Sequence, residues 1–138
     1  MINKTSLVYF LLVSLLLGGV GYYLTSSYEF GLCIADAQSN TFDVSCHRFY
    51  ERLGDPLFYG GGALAIVFAL LYAFPQTFSA WKKFAIWFIP LAALLFVFYP
   101  DPGSGDFLSP MPEQLFQWVS GLFIVVSALI IGLTNRKT

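Results

Sequence analysis

The chain has 138 residues, of which 57% are hydrophobic and only 11% charged. A water-soluble domain carries about 25% charged residues, so an ordinary soluble globule is excluded, and the length allows one compact unit. A formal charge of −1 without a basic stripe excludes a nucleic-acid-binding role.

In chain order, the first apolar run covers 7–24 and is expected to cross a membrane uncleaved, since no A-x-A-like site follows it. "EFGLC" resembles a lipoprotein cleavage box, but Leu32 stands where a small residue belongs before Cys33. The outer loop, 25–55, then holds both cysteines, the single histidine, Arg48 and Arg52. Inside it, Asp43 is placed to cap a short helix, "VSCHRFYERL", with Gly54 as its terminator. Cys46, Phe49, Tyr50 and Leu53 recur at i, i+3, i+4 and i+7. That apolar stripe suits a helix lying along the outer leaflet or on top of the other helices. His47, Arg48, Glu51 and Arg52 take its remaining faces and are read as a solvated surface that offers a partner contact.

The second span, 56–74, opens on Asp55 as N-cap and Pro56 as first-turn proline, and Pro75 ends it. After a short inner loop, 75–79, the third span covers 80–99 and contains Pro90, where a kink is expected. The second outer loop, 100–110, is rich in proline and glycine. The fourth span covers 111–133, with Ser109–Pro110 as its start signal, and a tail, 134–138, completes the chain.

Charge orients the spans. Lys4, Lys82, Lys83, Arg136 and Lys137 lie at the N-terminus, between the second and third spans, and at the C-terminus; the other side holds only Arg48 and Arg52. The positive-inside rule puts both termini in the cytoplasm, and the general likeness to small four-helix membrane proteins of bacteria implies a bacterial-type inner (plasma) membrane. The acidic residues agree: Glu29, Asp36, Asp43, Glu51, Asp55, Asp101, Asp106 and Glu113 all fall outside. Asp36, Asp43, Glu51 and Asp55 with Asp101 and Asp106 could form an acidic patch for cations or a basic partner. Tyr22, Tyr23, Trp81, Tyr99 and Trp118 sit at span ends and are read as an interfacial aromatic belt.

Small residues mark where helices approach one another in lipid. The first span offers Ser14 and Gly18. The second offers Gly61, Ala65, Ala69 and Ala73 at every fourth position, and the fourth offers Ala128 and Gly132. This suggests a bundle with the second helix near its centre. The apolar runs within the spans, 7–24, 57–74, 84–99 and 115–133, contain no charged residue, which argues against a proton relay or voltage sensor. Ser14, Ser120 and Ser127 are expected to make local or interhelical hydrogen bonds.

Outside the cytoplasm thiols oxidise, so Cys33 and Cys46 are expected to form a disulfide, a stabilisation of about 3 kcal/mol by loop closure. The layout resembles that of quinone-linked disulfide-generating enzymes, but it lacks their C-x-x-C centre and their second cysteine pair. Gly31–Leu32–Cys33 is also similar in layout to the first outer loop of claudin-like four-helix proteins, without the tryptophan of their G-L-W motif. No EF-hand spacing, phosphate loop, nucleophile elbow or H-E-x-x-H is present.

The expected fold is thus an all-α integral membrane protein. It is a four-transmembrane-helix bundle with a short amphipathic outer-loop helix stapled by a disulfide. No catalytic, metal or cofactor site is expected. The expected partners are the lipid bilayer and another membrane protein or a second copy. The expected role is structural or accessory, with an oligomeric carrier or channel as the alternative and a thiol oxidoreductase as a third reading.

Overall fold

The computed structural model describes residues 2–36, 41–99 and 112–136. The expected loop 100–110, with Asp101, Asp106 and the Ser109–Pro110 helix start, lies outside the described residues, as does Lys137. Helix α1 spans Lys4–Thr25. A small antiparallel ladder follows, with β1 (Ile34–Asp36) set against β2 (Thr41–Phe42) and Ile34 paired with Phe42. Helix α2 spans Val44–Ala73, a 3-10 turn takes Pro75–Thr77, and α3 and α4 span Phe78–Phe98 and Pro112–Arg136. All four α-helices are long and apolar enough to cross a membrane. Helix α3 runs on through Pro90.

The largest departure from expectation lies in α2. The loop helix and the second span form one helix of 30 residues. Gly54 does not end it, and Asp55–Pro56 does not begin another. Pro56 removes one backbone donor, so the Arg52 carbonyl goes without its helical bond, yet the helix continues. The reason is the contact with α1. A Cβ on Gly54 would lie 2.8 Å from the Thr25 backbone nitrogen, and one on Gly61 would lie 2.5 Å from the Gly18 nitrogen. Gly54 is therefore a close-approach residue in the same seam as Gly61, seven positions on, and not a helix terminator.

That seam uses Ser14, Gly18, Gly21 and Thr25 on α1. Ala65 is buried further along α2, while Ala69 and Ala73 are exposed. At about 100° per residue, a four-residue step drifts about 40° around the helix, so positions 69 and 73 rotate out of the contact. Seven-residue spacing drifts only about 20° the other way, which keeps Gly54 and Gly61 together. On α4 the buried face is Phe116, Ser120, Phe123, Ser127 and Ile131. Ala128 and Gly132 flank it and are exposed, and a Cβ on Gly132 would meet nothing within 4 Å.

Helix α2 packs against α1 and α4, and α3 packs on α4. We call the end that carries Cys33 and Cys46 the cap end. The apolar core includes Leu7, Val67, Leu71, Trp81, Phe123 and Ile131. Trp81 is 4% exposed, its ring edge-on to Phe68 with centroids 5.6 Å apart, and its Nε1 donates to Ser127 Oγ at 3.0 Å. It is a core residue and not part of the aromatic belt, because a buried hydroxyl satisfies its one polar group. Tyr22, Tyr23 and Trp118 are exposed. Nearer the cap end an apolar crevice of about 130 Å³ opens between α2, α3 and α4.

Candidate functional site

The cap is built from the start of α2. Asp43 occupies the N-cap position, where its Oδ1 accepts from the backbone nitrogens of Ser45 (2.9 Å) and Cys46 (3.3 Å). The Ser45 hydroxyl and the Cys46 N–H hold its carboxyl below the usual aspartate value. The Asp43 N–H donates to the Cys33 carbonyl at 3.0 Å, which closes the ladder. Cys33 and Cys46 meet at disulfide distance, Sγ–Sγ 2.12 Å and Cα–Cα 5.7 Å.

A second link lies one residue on. Ser27 Oγ and His47 Nδ1 are 2.6 Å apart, and the imidazole lies against the Tyr28 ring with centroids 3.9 Å apart. Glu51 Oε2 approaches His47 Nε2 at 4.0 Å. Serine, histidine and glutamate thus stand in a row, an order that can serve acyl transfer when the hydroxyl is reachable. Ser27 is 0% exposed, so no substrate carbonyl reaches its Oγ. The row acts as a clamp that fixes the turn after α1 to the side of α2.

His47 is therefore not the solvated residue expected. Of the apolar stripe, Phe49 is 62% and Leu53 47% exposed, while Cys46 and Tyr50 are half-buried, so the stripe does not lie on top of the other helices. The inward face of this part of α2 carries His47, Tyr50, Glu51 and Gly54, about 100° around from the expected stripe. It is the α1 seam prolonged. Read alone, the decapeptide shows its apolar stripe; the deciding signal is the glycine pair Gly54 and Gly61, outside it.

Beside the clamp, α2, the end of α3 and the start of α4 enclose a charged cleft of about 170 Å³. Arg48, Glu51 and Arg52 line it, together with Asp55 and Glu113. Three of the four expected partner residues are thus brought together, and His47 turns away to Ser27. Asp55, just ahead of the apolar run Leu57–Phe74, is 9% exposed. Burial, followed by the charges of Glu51 and Glu113, pushes its carboxyl up to about 7. Glu113 Oε1 accepts from Tyr59 Oη at 2.9 Å and from Gln117 Nε2 at 3.2 Å, and Gln117 also donates to Tyr59 Oη at 2.9 Å.

Tyr59 and Glu113 escaped the sequence reading as site residues, and Asp55 entered it only through the acidic patch. The spacing of Glu113 and Gln117, one helical turn apart, was the available signal for the network. Asp55 was hidden by its fit to a helix start. Among the described residues no group of three or more His, Cys, Asp or Glu side chains is placed to hold a metal ion.

No protein-family model, curated protein or solved structure matches the chain.

Proposed function

We propose that the chain is a multi-pass membrane protein of a bacterial-type inner (plasma) membrane, with both termini cytoplasmic and the cap outside. Its role is that of an accessory or scaffold subunit whose cap engages another membrane protein. The observation that carries this reading is the extension of α2. It continues about three turns beyond Gly54, the level at which α1 ends at Thr25, and two cross-links clamp it there. Its far face presents Val44, Phe49 and Leu53 exposed. An apolar surface held rigid beyond the apolar spans loses little entropy on contact, which favours a binding role.

The carrier and oxidoreductase readings find less support. Two of the three serine hydroxyls at membrane depth are used internally: Ser14 Oγ donates to the Phe10 carbonyl, and Ser127 Oγ accepts from Trp81. Cys33 is buried, which withholds it from thiol exchange.

A photo-crosslinking residue in place of Phe49, irradiated in intact membranes, tests the reading. One discrete adduct with a different protein, lost when Cys33 and Cys46 become serine, is the expected result. Crosslinking only to lipid, as expected from the exposed Leu16, overturns it.

A further inference from the structure

Helix α3 is the least enclosed of the four spans. Trp81 and Ala85 are its buried residues, and from Ile86 to Phe98 none is buried. An exposed aliphatic face suits lipid, but this one carries two polar groups that do not. Trp87 is 82% exposed, and its indole has no hydrogen bond or ring contact among the described residues. One residue earlier Ile86 is exposed as well, and its carbonyl lacks the helical donor that Pro90 cannot supply. In membranes a carbonyl freed by proline is retaken by a neighbouring helix or by a Ser or Thr side chain. Residues 80–98 contain no Ser or Thr. No helix of this chain covers Ile86, Trp87 or Pro90, all of which are exposed.

Depth makes the two groups costly. Gln76, just ahead of α3, donates to Asn135 at the end of α4 that lies away from the cap. Trp87 stands about 16 Å along α3 from that bond, half-way through a hydrocarbon core of about 30 Å. Phe84 and Phe88, on either side of it in sequence, meet the ring of Phe123, near the middle of the apolar run 115–133. Lys82 and Lys83 lean back toward the N-terminus of α3, as helical side chains do, and their stems carry the ammonium groups to headgroup depth. An indole N–H prefers the interface, and at mid-depth it has no water to bond.

Donor and acceptor therefore sit side by side on one face, with Cα atoms about 1.5 Å apart in depth. Two copies in one membrane share an orientation, so a two-fold axis along the membrane normal brings equal residues to equal depth. Each indole then meets the other copy's free carbonyl, and both groups are satisfied. A different protein would have to supply a matching donor and acceptor of its own. The apolar surroundings agree: Ile86, Trp87, Pro90, Leu91 and Leu94 line a groove of about 330 Å³. Trp87, Pro90, Leu94 and Val97, all exposed, alternate at three- and four-residue steps, the seam of parallel helix pairs.

We propose that this face of α3 is a homodimer interface. Two copies pack α3 against α3 in parallel, and Trp87 Nε1–H of each donates to the carbonyl of Ile86 of the partner subunit. The proposal rests on the reading that the chain spans a membrane.

Förster transfer between separately labelled copies of the full-length protein tests it, in liposomes of phosphatidylethanolamine and phosphatidylglycerol diluted stepwise with lipid. The native protein is expected to show a two-copy equilibrium. Trp87→Phe, which keeps a ring and loses the donor, raises the dissociation constant about tenfold, the loss of two interhelical bonds. Pro90→Ala returns an N–H to the Ile86 carbonyl within its own helix and weakens the dimer to a similar extent. The two changes together are no worse than either alone, and additive losses overturn the proposed bond. A photo-crosslinking residue in place of Leu94 gives an adduct of twice the chain mass, while one in place of Leu16, on the exposed face of α1, reaches only lipid. A monomer at every dilution overturns the proposal. So does a dimer that ignores Trp87→Phe, or a Leu94 adduct with lipid or a different protein alone. Alkaline carbonate extraction separates the two readings. Release of the native protein from membranes sinks the membrane reading, and a carbonate-resistant monomer sinks only the dimer.

Discussion

Gly21 and Gly54 sit back to back across the α1–α2 seam. A Cβ on Gly21 would lie 2.8 Å from the Gly54 carbonyl oxygen, and one on Gly54 would lie 2.9 Å from the Gly21 carbonyl oxygen. The two backbones occupy the space that side chains fill elsewhere, and in lipid such close packing is a main source of helix association. The reciprocity also explains why α2 passes through Gly54 without ending.

Adding one methyl group at either position forces the helices apart. Gly21→Ala and Gly54→Ala are each expected to cost about 1–3 kcal/mol, the range for overpacking a tight contact. Gly60→Ala and Gly62→Ala are the controls, because a Cβ there meets nothing within 4 Å. They gain up to about 1 kcal/mol of helix propensity instead. Thermal unfolding in detergent, followed by circular dichroism, separates the two pairs; equal effects in all four would remove the seam.

Trp81 and Ser127 form the corresponding anchor at the opposite end. Ser127→Ala leaves the indole N–H buried without a partner and is expected to cost about 1–2 kcal/mol. Trp81→Phe removes that donor together with part of the ring that packs on Phe68 and Phe123. Once Trp81 is phenylalanine, adding Ser127→Ala costs nearly nothing. A double-mutant cycle therefore returns a coupling close to that full cost, about 1–2 kcal/mol. Additive losses would mean that the bond carries no energy.

Much of the fold was legible because its causes are local. The four apolar runs, Asp43 as a helix cap and the Cys33–Cys46 pair each follow from residue chemistry within one segment. The misreadings share a different cause. Gly54, Asp55 and Pro56 form a strong stop-and-start signal, yet tertiary contact with Gly21 and Thr25 overrides it. Trp81 fits an interfacial position as well as a core one until Ser127, on another helix, supplies the hydrogen-bond partner. At the candidate site Arg48, Glu51 and Arg52 were visible as polar residues of one helix. Their cleft was not, because Glu113 and Phe96 reach it from two other helices.

The cap is expected to open when its links are removed. Replacing Cys33 and Cys46 with serine gives up about 3 kcal/mol of loop-closure stabilisation. If local opening limits cleavage, trypsin should then cut at Arg48 and Arg52 on the order of a hundredfold faster. Ser27→Ala, which removes only the partner of His47, is expected to cost about 1 kcal/mol and to raise cleavage several-fold. Timed proteolysis in detergent, with and without reductant, measures both. Unchanged cleavage in the double serine variant would show that the cap holds without its staple.

Asp55 sets a pH dependence whose sign follows from its burial. Its free value is 3.8, and in the fold it titrates at about 7. The folded protein therefore binds this proton more tightly than the unfolded chain does. The resulting stabilisation is complete below about pH 4 and is lost as the pH rises through 7. Asp43 has the opposite shift, so its contribution is present above 3.8 and is lost only as the pH falls below that value. From pH 5 to 8 Asp55 alone of the two changes, and the melting temperature should fall across that window. Asp55→Asn should flatten the fall, because the amide has no proton to lose. A slope that persists unchanged in Asp55→Asn would assign the titration to another group.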